Sequence, residues 1–197
     1  MTGQSFLSAL LSKKQGRLDP ARDHTLLGKE RHDIGRTDGE LLSVSYPARA
    51  IRTDDFLYVR NFKPHRWPGG NPEYGLMNCD GSPTKSYLTN LKPGDSEYRY
   101  YELAFGKRPA EELYDMTHDP DCVTNLAADP KHAVTKQKLW LRLKSGLTAQ
   151  KDPRILGEGD IFDYYPYCRI DRQQKVYKRP DWDPVKLFEE KFGKKSN

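Results

Sequence analysis

The sequence predicts a mixed fold, of class α/β with α+β character over this portion, and three observations predict it. Two β-rich runs, Tyr46 to Thr53 and Phe56 to Phe62, meet at Thr53-Asp54-Asp55. The second run alternates Phe56, Tyr58 and Arg60 against Leu57, Val59 and Asn61, which is a hairpin signal. Glu112 to Met116 reads as a short strand. Asp129 is a helix N-cap with Pro130 behind it, and Val134, Leu139, Trp140, Leu143 and Leu147 recur at helical spacing, so a helix is expected to about Leu147.

The remaining elements follow in order. Phe6, Leu7, Leu10 and Leu11 predict a short amphipathic helix that stops near Gly16. His24 to Glu30 is strand-like and leads into a charged, glycine-containing loop from Arg31 to Gly39. Lys63 to Asp95 carries ten prolines and glycines, too many for regular elements, so a long ordered loop is expected there, with Trp67, Tyr74 and Tyr87 to pack it. Tyr98 to Phe105 fits either a helix or an extended segment. Ile161 to Tyr167 is an aromatic stretch, and Pro184 to Phe192 suggests a last short helix.

The chain has 197 residues, room for one domain or one domain plus the tail of another. Mean hydropathy is −0.90, yet aromatics make up 11%, which argues against disorder. Lysine plus arginine exceed acids by 33 to 28, so polyanions such as sulfated sugars or nucleic acid are permitted as partners and not required. The basic residues are locally dense only at Lys175, Lys178 and Arg179 and at Lys191, Lys194 and Lys195. Cys79, Cys122 and Cys168 are too few for a disulfide framework, although one bridge and one thiol remain open. No apolar run approaches the ~20 residues of a membrane helix, so no membrane partner is expected, and no signal-type segment opens the chain.

Strong catalytic motifs are absent: there is no phosphate-binding glycine loop, Cys-x-x-Cys, His-Glu-x-x-His or nucleophile elbow. The five histidines lack metal-ligand spacing, so no metal site and no catalytic residue is assigned. Cys168 stands four residues before Arg172, but Arg169, Ile170 and Asp171 intervene and do not fit the Cys-x-Pro/Ala-x-Arg pattern in which a cysteine at that offset is matured. Cys168 is therefore expected to be a buried apolar group beside Tyr164, Tyr165 and Tyr167. Asp54-Asp55 reads as a turn rather than a cation site. The sharpest polar cluster is Lys29-Glu30-Arg31-His32-Asp33, where an arginine fork suits sulfate or carboxylate and a histidine acts near neutral pH. The same residues also suit an ion-paired surface turn. A second basic cluster, Lys63 to Gly70, either meets a sugar face or anchors its loop through Trp67.

Several segments together carry a family resemblance. Tyr46 to Phe62 with its Arg60-Asn61-Phe62 ending, then His65-Arg66-Trp67-Pro68, resembles bacterial heparan N-sulfatase-like sulfatases. Glu112 to Pro120 followed by Asn125 to Pro130 looks like the sulfatase C-terminal order of strand, Asp-Pro turn, Asn-Leu turn and helix. Leu156 to Asp160 and Tyr165 to Tyr167 are similar to the end of those proteins, and Lys29 to Asp33 falls where they carry a Glu-Arg-His run. The similarity spans about residues 4 to 190.

The resemblance implies the C-terminal portion of a sulfatase hydrolysing sulfate esters or sulfamates, with a glycan such as heparan sulfate as substrate. It implies an antiparallel sheet packed with a helix over residues 46–197, and the last elements of an alkaline-phosphatase-like α/β domain over residues 1–45. Arg31 and His32 would line the substrate pocket. The formylglycine nucleophile and the calcium of the family would lie outside this chain, in a missing N-terminal catalytic domain, leaving this chain alone inactive. The parent family is periplasmic or secreted. The competing expectation is a non-catalytic basic module that holds sulfated glycan or nucleic acid through Lys63, Arg66, Lys194 and Lys195.

Overall fold

The computed structural model describes residues 3 and 5–193. Its centre is a four-stranded antiparallel sheet in the order β1-β4-β5-β6, with β1 at Thr25–Lys29, β4 at Ala48–Arg52, β5 at Phe56–Asn61 and β6 at Glu111–Asp115. Two short strands, β2 (Thr37–Asp38) and β3 (Leu41–Leu42), form a separate ribbon between β1 and β4. The expected hairpin is β4-β5, closed by Thr53, whose N–H and side chain both engage Phe56 across Asp54-Asp55. β1, from before residue 46, pairs with β4 from Lys29 opposite Ala48 to Thr25 opposite Arg52.

Register places Leu26, Ile51, Tyr58 and Leu113 in one row across the sheet. Helix α4 (Ala133–Ala149) lays Leu139, Leu143 and Leu147 on that row, giving one dry core with Phe56 and Trp140 at its margin. At Gly146 a Cβ would stand 2.8 Å from Leu26 Cδ1, so the glycine lets helix and edge strand approach. Asp129 caps a 3₁₀ turn, Pro130–His132, that runs into α4.

A second core joins Ile34 and Leu42 to Tyr177 of α7 (Ile170–Tyr177) and to Trp182 ahead of α8 (Pro184–Phe192). The Tyr177 hydroxyl accepts from Gly35 N–H at 2.6 Å, and Tyr74 meets the Tyr177 ring edge-on at 4.9 Å.

The long loop expected over 63–95 contains a 3₁₀ turn, Pro72–Tyr74, and an eight-residue helix, α2 (Pro83–Asn90). Its prolines act here as helix starters: Ser82 accepts from Lys85 N–H and Pro83 takes the first helical position. Tyr98–Phe105 is helical (α3), with Tyr98, Tyr101 and Phe105 ring to ring along one face. Two short helices, α5 (Pro153–Leu156) and α6 (Ile161–Tyr164), follow α4, and α5 starts on an Asp152 cap. The amphipathic α1 (Leu7–Leu10) has Phe6, Leu7, Leu10 and Leu11 exposed.

All three cysteines are free thiols, and Cys168 is exposed, a correction to the buried position expected for it. The turn between α6 and α7 directs Tyr167 inward, where its hydroxyl donates to Asp33 at 2.7 Å, and leaves Cys168 outward.

Candidate functional site

Four arginines, Arg36, Arg49, Arg66 and Arg154, are buried, and none is buried without partners. Three of them form an ionic seam below the Lys29 to Asp33 segment. Arg49 projects from β4 past Gly28, whose missing side chain leaves room for it, and grips Asp152 (2.8 Å) and Glu30 (3.1 Å). Arg154 from α5 holds Glu30 (2.6 Å), Asp160 (2.9 Å) and the Ser45 hydroxyl (2.9 Å). Arg66 makes a two-pronged pair with Asp163 of α6 (2.9 and 3.0 Å) and donates to Asp38 through Nε (2.8 Å). Ser45 donates to Asp163 from both its N–H and its hydroxyl.

This arrangement satisfies the requirement that buried charge be paired and hydrogen-bonded. Burial alone would raise the Asp163 carboxyl, but hydrogen bonds from Arg66 and Ser45 overcome it and hold the group below the usual aspartate value. Arg36 differs, because neutral acceptors surround it: the carbonyls of Trp67, Val44 and Pro68 and the Asn78 side chain. Burial and the nearby Arg66 charge pull it down to about 10, so it stays protonated at neutral pH.

The seam fixes the residues on either side of Arg31. Glu30 precedes it, and α6 ends one residue before Tyr165, whose carbonyl accepts from Arg31 Nη1 at 2.7 Å. The same nitrogen reaches the Ser43 carbonyl at 3.4 Å. Arg31 has no carboxylate within ion-pair distance among the described residues. Desolvation lowers its pKa, with Asp163 acting in the opposite direction. His32 is exposed beside it, whereas Asp33 turns inward to Ile34 N–H, Tyr167 and Arg172. Of the charged run picked out in the sequence, Glu30 and Asp33 are held by internal partners, Lys29 donates to the Pro68 carbonyl at 3.2 Å, Arg31 meets only the Tyr165 and Ser43 carbonyls among the described residues, and His32 is exposed. An unpaired arginine fork beside an imidazole suits an oxyanion.

The second cluster has a different fate. Arg66 is 4% exposed inside the seam, Lys63 pairs with Asp160 at 3.0 Å, and His65 meets Asp38 at 3.0 Å. Trp67 carries the Lys107 ammonium over its ring at 5.0 Å. Lys194 and Lys195 lie outside the described residues. Among the described residues no three His, Cys, Asp or Glu side chains converge as a metal cage, so no residue of this chain is assigned to the calcium that the resemblance implies. Also among the described residues, no helix is long and apolar enough to cross a membrane.

No protein-family model matches the chain. Two curated proteins of Formosa agariphila, both named ulvan-active sulfatase, are similar to it. One is 32% identical over 162 residues, 82% of this chain and 27% of the relative. The other is 27% identical over 164 residues, 83% of this chain and 24% of the relative. The chain thus spans about a quarter of the length of the relatives it matches, and the similarity supports a sulfatase family.

Proposed function

We propose that this chain is the C-terminal portion of a hydrolase that cleaves sulfate esters or sulfamates on an anionic glycan, and that it contributes part of the substrate rim through Arg31 and His32. The observation that carries this reading is the coincidence of a sulfatase-like sequence over four fifths of the chain with an arginine that has no carboxylate within ion-pair distance among the described residues. Arg31 would bind a sulfate or carboxylate of the sugar, and His32 would donate to it or to a hydroxyl. Two substrate classes are in view: heparan-type sulfamates, from the segments around 46–68 and 112–130, and ulvan, from the name of the relatives. The relatives' name favours ulvan-type sulfate esters over a strict heparan N-sulfatase role.

In this reading the nucleophile and the calcium belong to a partner domain outside the chain, of alkaline-phosphatase type, and the parent protein works in the periplasm or outside the cell. This chain alone would lack both an activated nucleophile and a group to stabilise charge on the sulfate. The purified chain is expected to leave an aryl sulfate intact with or without added calcium. Calcium-dependent turnover would overturn the assignment of the chemistry to a partner domain. The basic-module alternative draws no support from Arg66, which is paired with the buried Asp163, or from Lys63, which is paired with Asp160.

A further inference from the structure

Beside Arg31 lies a shallow apolar pocket of about 200 Å³, walled by Tyr165, Pro166, Val185 and Phe188 with Glu189 at its rim. Tyr165 joins the two features, because its carbonyl holds Arg31 Nη1 and its ring lines the pocket. The Tyr165 ring stacks on Phe188 with centroids 5.6 Å apart and planes 23° apart, and Phe188 leans on Phe192 at 5.1 Å. Tyr165 remains 39% exposed despite these contacts. Arg31 keeps Nε and Nη2 without a hydrogen-bond partner among the described residues.

From this juxtaposition we infer a subsite for a single sugar ring bearing a sulfate, with the sulfate on Arg31, an apolar ring face against Tyr165 and Phe188, and hydroxyls toward Glu189. The inference rests on the reading of Arg31 as part of a glycan-binding rim and adds the aromatic half of the site. Size decides the occupant: at about 200 Å³ the pocket is below the ~300–1,000 Å³ that takes a drug-sized ligand, so it fits one ring and not an oligosaccharide. Charge decides that the substituent is an anion, since the Nε and Nη2 donors of the arginine can take two oxygens of a sulfate. Glu189 limits the ligand in turn, accepting hydroxyls and opposing a second anion at that end.

The test is a titration of the whole chain followed by two-dimensional amide NMR, with glucose 6-sulfate, glucose, glucuronate and inorganic sulfate as separate probes. Glucose 6-sulfate is expected to bind saturably, shifting signals of residues 31–32 and 165–188, and to bind more tightly than the other three. Arg31→Ala is expected to weaken it roughly tenfold or more, the scale of one charge-assisted hydrogen-bond set. Tyr165→Leu and Phe188→Leu keep apolar volume while removing the ring face, and each should weaken glucose 6-sulfate without changing inorganic sulfate. Unchanged binding in both leucine variants, with Arg31→Ala still defective, overturns the subsite and leaves Arg31 as a simple anion contact of the rim. Equal binding of inorganic sulfate and glucose 6-sulfate also overturns it, as does tighter binding of glucuronate. If no probe shifts residues 31–32, the subsite and the rim reading fall together. Unaltered amide spectra away from the site identify the variants that have kept their fold.

Discussion

On the α4 side of the sheet, Ile51, Tyr58, Leu113, Leu139, Leu143 and Leu147 close around one another as a dry apolar core. Two residues along β4 from Ile51 the chemistry changes, and Arg49, with Arg66 of the following loop and Arg154 of α5, is locked to Glu30, Asp152, Asp160, Asp163 and Asp38. The first region is held by burial, which is non-directional and tolerates small repacking. The second is held by charge-assisted hydrogen bonds, which fix angles as well as distances. Arg31 stands on the second region, between Glu30 and Tyr165, so its position inherits that geometric definition. The lesson is that the apolar half supplies the fold and the ionic half aims the surface.

Several substitutions break or sharpen this contrast. The largest effect is expected from removing one partner of the buried Arg66–Asp163 pair: Asp163→Ala should cost about 3–5 kcal/mol by taking both prongs of the pair from a buried arginine and leaving it Asp38 as its one carboxylate among the described residues. The paired change Arg66→Met with Asp163→Leu should cost less than Asp163→Ala alone. Denaturant unfolding measures both, and a loss below about 1 kcal/mol for the single variant would show the seam to be solvated. Next, Leu143→Ala, at a fully buried position of the dry core, should cost about 2–5 kcal/mol by leaving a cavity. A loss confined to the surface range of about 0.5 kcal/mol would mean that α4 is not packed as described.

The third effect depends on pH. Asp163 is held below the ordinary value of 3.8, so the folded state favours its ionised form. Its contribution is complete above that value and is lost as pH falls below it, through the depressed folded-state pKa. The seam, not the apolar core, should thus fail first in acid. Acid titration followed by Trp fluorescence should place the transition below about pH 4, and Leu143→Ala should lower stability at every pH without changing the slope of stability against pH. A transition centred near neutrality would contradict the pairing. The smallest effect is Arg31→Ala, which removes contacts to two carbonyls and strands no carboxylate. Its stability should stay within about 1 kcal/mol of wild type while glucose 6-sulfate binding weakens roughly tenfold or more, and a larger destabilisation would make Arg31 part of the seam.

The apolar half was legible in the sequence because its signals are local. The Phe56 to Asn61 alternation and the Leu139, Leu143 and Leu147 spacing each report on their own element. The Lys29 to Asp33 cluster was legible as a polar run at a strand end, and β1 does end at Lys29, whereas the choice of Arg31 and His32 within it came from the family resemblance. The seam was not legible, because Arg66 and Asp163 stand 97 residues apart and neither lies in a distinctive local pattern. Arg66 instead reads locally as half of a basic loop, and only tertiary pairing shows that it faces inward. Helix α2 was masked for a related reason: Ser82-Pro83 counts as a breaker in a glycine- and proline-rich stretch and as a cap once the chain is folded. Tyr165 and Phe188 belong to separate segments, and nothing within either signals that their rings stack.

The most direct measurement of the central proposal is the coding DNA immediately upstream of Met1. A sulfatase origin predicts an adjoining segment, in frame or displaced by a frameshift, that encodes Cys-x-Pro/Ala-x-Arg together with acidic metal ligands. Unrelated sequence at that place would contradict it and leave the Arg31 surface as the binding face of a stand-alone domain.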